Sequence, residues 1–154
     1  FEEAAIALSY AFKLKDEFGS RGIDVFMTRD DKTDHTPVER RASMALTAGC
    51  EVFISLHLNH NDDHSAHGLE VLYRDSKSID LAQKLQVALI DLTKMKDRDI
   101  KKRTDLAVLK FQGVAVLIEL GFISNDSDRE KLLNPQVQDA ITKCIASTVI
   151  QHFE

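Results

Sequence analysis

A chain of 154 residues is long enough to bury one substantial core and too short to divide into two domains. Its 44% hydrophobic and 29% charged residues are those of a folded globular chain, and a formal net charge of −5 argues against general attraction to nucleic acid or anionic lipid. No apolar run is long enough to span a bilayer, and the two cysteines, Cys50 and Cys144, form neither a CxxC motif nor a disulfide framework. The first residues, Phe1-Glu2-Glu3, are acidic and run straight into a helical pattern, unlike a signal peptide.

Apolar residues from Ala4 recur at helical spacing. Leu8, Ala11 and Phe18, flanked by Ile6, Phe12 and Leu14, carry the pattern to Gly19-Ser20-Arg21-Gly22, which ends it. Ile23 to Met27 alternates and is rich in β-formers, which predicts a short strand closing at Thr28-Arg29-Asp30-Asp31. Thr36, Pro37 and Glu39 make a capping box with proline at the first helical position, so a second helix runs to about Ala48 and stops at Gly49. Glu51 to His57 reads as a buried strand that empties into a histidine-rich loop, since Ser55 to His67 holds four of the six histidines. Leu69 to Tyr73 is a further strand. Ser78 opens a helix striped by Leu81, Leu85, Ala88, Leu92 and Met95, and a solvated lysine-rich loop, Lys94 to Arg103, closes it as a local basic patch. Leu106 to Leu109 reads as a weaker strand. After Gln112-Gly113 comes Val114 to Leu120, almost continuously apolar, as a strand covered on both faces must be. Gly121 to Asn125 forms a turn, Ser124 or Asn125 caps a short acidic helix to Leu133, and a last helix follows Asn134-Pro135.

This alternation of strands and helices predicts an α/β fold in three layers, a mainly parallel twisted sheet with helices on both faces. Such a sheet ordinarily begins with a strand, whereas this sequence opens in a helix. Ligands of open parallel sheets bind beyond the carboxyl ends of the strands. His57 and Glu119 each stand at such an end. Glu119 interrupts an apolar run, and a carboxylate there needs a metal, a hydrogen-bond donor or a raised pKa, each of which also suits a general base. A salt bridge at the strand end is the other way to hold it. His57 is either a metal ligand or the cap of a strand. Glu3 taken alone is an acidic residue favoured by the dipole at a helix N-terminus. No HExxH pair occurs, so any metal site has to be assembled from distant segments. A metal-dependent nuclease, suggested by His57-Leu58-Asn59-His60, needs a ββα setting that the order of elements does not supply.

Six blocks, taken in order, resemble one family. They are Thr28-Arg29-Asp30, Glu39 to Ala48, Phe53 to Asn59, Gly68-Leu69-Glu70-Val71, Ala107-Val108-Leu109-Lys110 and Val116 to Asn125. Together they are similar to the zinc-dependent N-acetylmuramoyl-L-alanine amidases of the type 3 family over essentially the whole chain. The likeness is sharpest in the Ser-x-His-x-Asn block at Ser55 and the Glu-x-Gly-Phe-x-Ser-Asn block at Glu119. The resemblance implies a Zn2+ site whose ligands include a glutamate opening the first helix, matched by Glu3, and the histidine of the Ser-x-His-x-Asn block, His57. It places the catalytic glutamate on Glu119. It implies hydrolysis of the amide between the lactyl group of N-acetylmuramic acid and L-alanine by metal-activated water, with Glu119 carrying the proton. The implied partner is peptidoglycan, with neither nucleic acid nor membrane. The implied place of action is extracellular, the cell wall or periplasm, for a bacterial hydrolase or a phage lysin alike.

The family's first strand and its Gly-His-Gly turn have no counterpart in this sequence. Residues 1–154 are therefore expected to form a single amidase catalytic domain lacking both, with the third ligand upstream or replaced by His60, His64 or His67, none of which matches a family position. The alternative is a catalytically inactive, amidase-like binding or regulatory module of the cell wall. No inserted helix separates Tyr73 from the helix at Ser78, so the site is expected to stand open.

Overall fold

The structure, a computed structural model, describes residues 3–28 and 38–154. Helix α1 (Glu3–Ser20) turns Tyr10, Leu14 and Phe18 inward. It stops where Gly22 takes φ +78°, a conformation that costs glycine little, and lets the Ile23 amide donate back to the Phe18 carbonyl at 3.0 Å. Ile23 to Met27 does not become the predicted strand. Among the described residues no strand lies beside it, and ladder hydrogen bonds are what hold a strand in place. Helix α2 (Val38–Thr47) is present, but its expected cap at Thr36 and Pro37 lies outside the described residues.

Four strands form one sheet: β1 (Val52–Asn59), β2 (Glu70–Tyr73), β3 (Lys101–Lys102) and β4 (Val114–Phe122), in the order β1-β4-β2-β3. β1 pairs with β4 and β2 with β3 in parallel, while β2 and β4 run antiparallel. The sheet is thus mainly parallel with one reversal at its middle. Strand β3 lies in the segment expected to be an irregular lysine loop. Both of its residues are exposed, so no apolar alternation marks it in the sequence. Conversely, Leu106 to Leu109 is no strand, because Ala107–Lys110 is a 3-10 turn. Val108, Leu109 and Phe111 all enter one small apolar cluster, and a strand would have sent neighbouring side chains to opposite faces.

Helices cover both faces. α1, α3 (Ile79–Thr93) and α5 (Pro135–Phe153) enclose the larger cluster with Leu58, Val71, Val116, Ile118 and Leu120 from the sheet. Ala45 of α2 and the 3-10 turn enclose the smaller one with Phe53, Leu72, Ala115 and Leu117. Helix α4 (Asp126–Leu133) follows β4, and Asn125 caps it as expected, its side chain accepting from the Asp128 amide at 3.0 Å. Asn134 caps α5 in the same way through the Gln136 amide at 2.9 Å. The pleat of β4 fixes the rest: even positions 116, 118 and 120 feed the larger cluster and odd positions 115 and 117 the smaller, so Glu119 falls on the smaller cluster's side at the strand's carboxyl end. Among the described residues no helix is long and apolar enough to cross a membrane.

Candidate active site

Three carboxylate or imidazole side chains lie in one row across the sheet. His57 of β1 is the register partner of Glu119 of β4, and Glu119 is in turn the partner of Glu70 at the start of β2. The antiparallel course of β2 brings its first residue, rather than its last, to this edge. Glu3, the first residue of α1, closes over the row, with its Oε1 3.8 Å from His57 Nδ1 and 3.4 Å from the Leu58 amide, which donates to it. At 3.8 Å the Glu3–His57 contact is too long for a hydrogen bond. Ser55 Oγ holds the other ring nitrogen, Nε2, at 2.9 Å and so fixes the orientation of the imidazole.

The two glutamates that flank His57 are pushed in opposite directions. The His57 imidazole beside Glu3 holds its carboxyl below the usual range, with partial burial opposing it. Burial pushes the Glu119 carboxyl up, and the negative charges of Glu3 and Glu70 add to the rise, while His57 and Arg103 oppose it. Glu119 Oε2 is buried and, among the described residues, has no hydrogen-bond partner. A side chain so placed is short of a proton, a donor or a cation.

Glu70 was not singled out by the sequence, although it too is a carboxylate entering a buried strand. It is 8% exposed, and its Oε2 accepts from Lys101 Nζ at 2.7 Å, with Arg98 Nε 3.9 Å away. Asp128, read only as part of an acidic helix, is 3% exposed and accepts from the Gly68 and Phe122 amides at 2.8 and 2.9 Å. It thereby ties the entry of β2 to the exit of β4. Gly68 has no room for a side chain: at its φ of +115° a Cβ would meet the Lys96 carbonyl at 2.6 Å.

The histidine-rich loop after β1 is exposed, and it is tied to the turn that follows β4. Asn59 O accepts from the Ile123 amide at 2.8 Å, the Asn61 amide donates to Ser124 Oγ at 3.0 Å, and Asn125 Nδ2 donates to His64 O at 2.9 Å. Among the described residues no group of three His, Cys, Asp or Glu side chains, with or without His60, His64 or His67, is arranged to hold a metal. Two donors of the expected set, Glu3 and His57, do come together. Carboxylate oxygen and imidazole nitrogen are both ordinary zinc donors, and a buried, unpartnered carboxylate oxygen stands one strand away, so the residues present fit such an ion. The chain between Tyr73 and α3 carries no inserted helix.

Comparison with known proteins shows what the chain is similar to. A family model described as N-acetylmuramoyl-L-alanine amidase matches residues 1–151. The crystal structure of N-acetylmuramoyl-L-alanine amidase from Clostridium difficile 630 is 30% identical and superposes with a TM-score of 0.92, over 99% of this chain and 84% of that one. The germination-specific N-acetylmuramoyl-L-alanine amidase of Bacillus subtilis is 25% identical over 98% of this chain and 70% of its own length. The N-acetylmuramoyl-L-alanine amidase LytC of the same organism is also 25% identical over 98% of this chain, which spans 31% of that longer protein.

Proposed function

Because the chain belongs to the N-acetylmuramoyl-L-alanine amidase family, we propose that it hydrolyses the amide joining N-acetylmuramic acid to L-alanine in peptidoglycan, with Zn2+ as cofactor. The observation that carries the reading is Glu119: a buried, unpartnered carboxylate oxygen with a raised pKa, register partner to a histidine that Glu3 meets from another element. Glu3 and His57 would hold the zinc. Bound there, the ion would act as a Lewis acid, lowering the pKa of a water molecule towards ~7 and polarising the scissile carbonyl.

The chain's own groups do the proton work. Glu119 Oε2 takes a proton from the attacking water as its oxygen bonds to the carbonyl carbon. The same oxygen returns that proton to the nitrogen as the carbon–nitrogen bond breaks, leaving the lactyl carboxylic acid, which gives its proton to solvent, and the free amine of L-alanine. Burial raises the proton affinity of Glu119 and so suits it to both transfers. Ser55 keeps the His57 ring from rotating, and Glu3 faces its second nitrogen. The place of action follows from the substrate, the bacterial cell wall, reached from outside the cell or from the periplasm.

Release of L-alanyl peptide from a defined muramyl peptide, together with zinc content by elemental analysis, tests this reading. About one zinc per chain and turnover abolished in Glu119→Gln are the expected results. A folded, zinc-free protein without turnover removes the catalytic reading.

A further inference from the structure

The proposed substrate is charged in one part only. Its sugar and lactyl amide are neutral, whereas the peptide beyond L-alanine carries carboxylates. Positive charge on the protein is concentrated as well: residues 94–103 hold six basic and two acidic side chains in a chain of net charge −5. Strand β3 brings the end of that segment into the sheet.

The pleat decides which of these side chains face the site. Lys101 pairs with Leu72, a residue of the smaller cluster, so it lies on the face that carries Glu119 and Glu70. Its Nζ donates to Glu70 Oε2 at 2.7 Å and to the Arg98 carbonyl at 2.5 Å, leaving one N–H unused on a side chain that is 47% exposed. Arg103, two residues on, leans the same way. Asp105 takes its Nε and Nη2 at 2.8 Å each, which leaves Nη1. Its charge is felt at both Glu70 and Glu119. Lys102, between them, pairs with Tyr73 and faces the opposite side.

Distance favours the same surface. Neighbouring strands lie about 4.8 Å apart, so β3 is about 10 Å from β4, with β2 between them. A peptide advances at most ~3.6 Å per residue. One whose scissile amide lies at Glu119 and which crosses β2 therefore has its second residue ~7 Å along, within reach of a lysine from β3. We propose that Lys101, supported by Arg103, is a binding site for the free α-carboxylate of the second residue of the stem peptide. This rests on the amidase reading for the identity of the peptide, and the basic edge distinguishes an acid at that position from its amide. Glu70 is the positioning residue, since it holds the Lys101 ammonium on the site's side of the sheet.

The test compares two product dipeptides by NMR shift titration of the purified protein: L-alanyl-D-glutamate, and L-alanyl-D-isoglutamine, in which the α-carboxylate is a carboxamide. The acid should bind roughly tenfold more tightly, as one charge-assisted hydrogen bond allows. That preference should fall below about twofold in Lys101→Met, diminish in the exposed Arg103→Gln, and persist in Lys102→Met, which removes an equal charge from the other face. Equal binding of both dipeptides by the unmodified protein, or a preference that survives both Lys101→Met and Arg103→Gln, overturns the site. Cleavage of the parent muramyl peptides is scored separately. A preference without cleavage removes the amidase reading and keeps the carboxylate site, and cleavage without a preference does the reverse.

Discussion

Glu119 and Glu70 stand opposite each other across the β4–β2 ladder and are served differently: Lys101 Nζ sits 2.7 Å from Glu70 Oε2, while Glu119 Oε2 has no hydrogen-bond partner among the described residues. Like charges in facing positions repel. The sheet resolves this by committing one carboxylate to a cation and leaving its neighbour's proton affinity raised.

Replacing Glu119 by glutamine therefore separates chemistry from folding. Turnover of a muramyl-L-alanine amide should fall by about 100-fold or more, the usual worth of a general base. Stability of the metal-free protein should move the other way. A carboxyl whose pKa is raised on folding keeps its proton to higher pH in the native chain, so its contribution is full below the unfolded value and is lost as pH climbs through the folded one. Glutamine cannot ionise, so urea melts of Glu119→Gln should lose that part of the decline above pH 4.5.

His57→Ala should release zinc, and so should Glu3→Ala. Elemental analysis after gel filtration should fall from about one zinc per chain to well under half in either variant. Full occupancy in both would remove these two residues from the ligand set. Ser55→Ala, which frees the imidazole without deleting it, should weaken zinc binding by roughly tenfold.

Tyr10 gives a second pH signature at the alkaline end. Its ring is fully buried and its hydroxyl donates to the Leu132 carbonyl at 2.8 Å, and burial pushes its pKa well above the ordinary 10.0. The native chain thus keeps the phenol protonated where the unfolded chain loses the proton, and stability falls as pH rises past 10.0. Tyr10→Phe should cost about 1 kcal/mol at neutral pH by chemical denaturation and flatten the decline above pH 10.0.

Asp128→Ala strands two buried amides, those of Gly68 and Phe122, and should cost about 3 kcal/mol. Asp128→Asn keeps one acceptor oxygen and should cost roughly half as much. Denaturant midpoints of the two variants check the order.

The helices were legible because their signals are local. The stripe of α3, the asparagine caps of α4 and α5, and the glycine after α1 can each be read within a few residues. The buried run of β4 declared itself by composition alone. Ile23 to Met27 misled because alternation describes a side-chain pattern, whereas a strand depends on a neighbour that the pattern cannot supply. Val108 and Leu109 misled for the reverse reason, since two adjacent apolar residues fit a tight turn over a small cluster as well as a covered strand. His57 and Glu119 stand out as candidates because each is a polar residue at the end of an apolar run. Glu3 needed a family resemblance, since an acid at a helix start has an ordinary electrostatic reason to be there. Glu70 and Lys101 went unread because their meaning lies in a pairing between strands that are distant in sequence.

The three hydrogen bonds between the β1 exit loop and the turn after β4, with the Asp128 link to Gly68, make those two surface segments one exchangeable part rather than two. A chimera that imports the 59–68 loop from a relative without the 122–128 turn leaves amides and carbonyls on each side without their partners. Swapped together, the two segments bring their own bonds with them, so this rim of the sheet is transferable between relatives only as a matched pair.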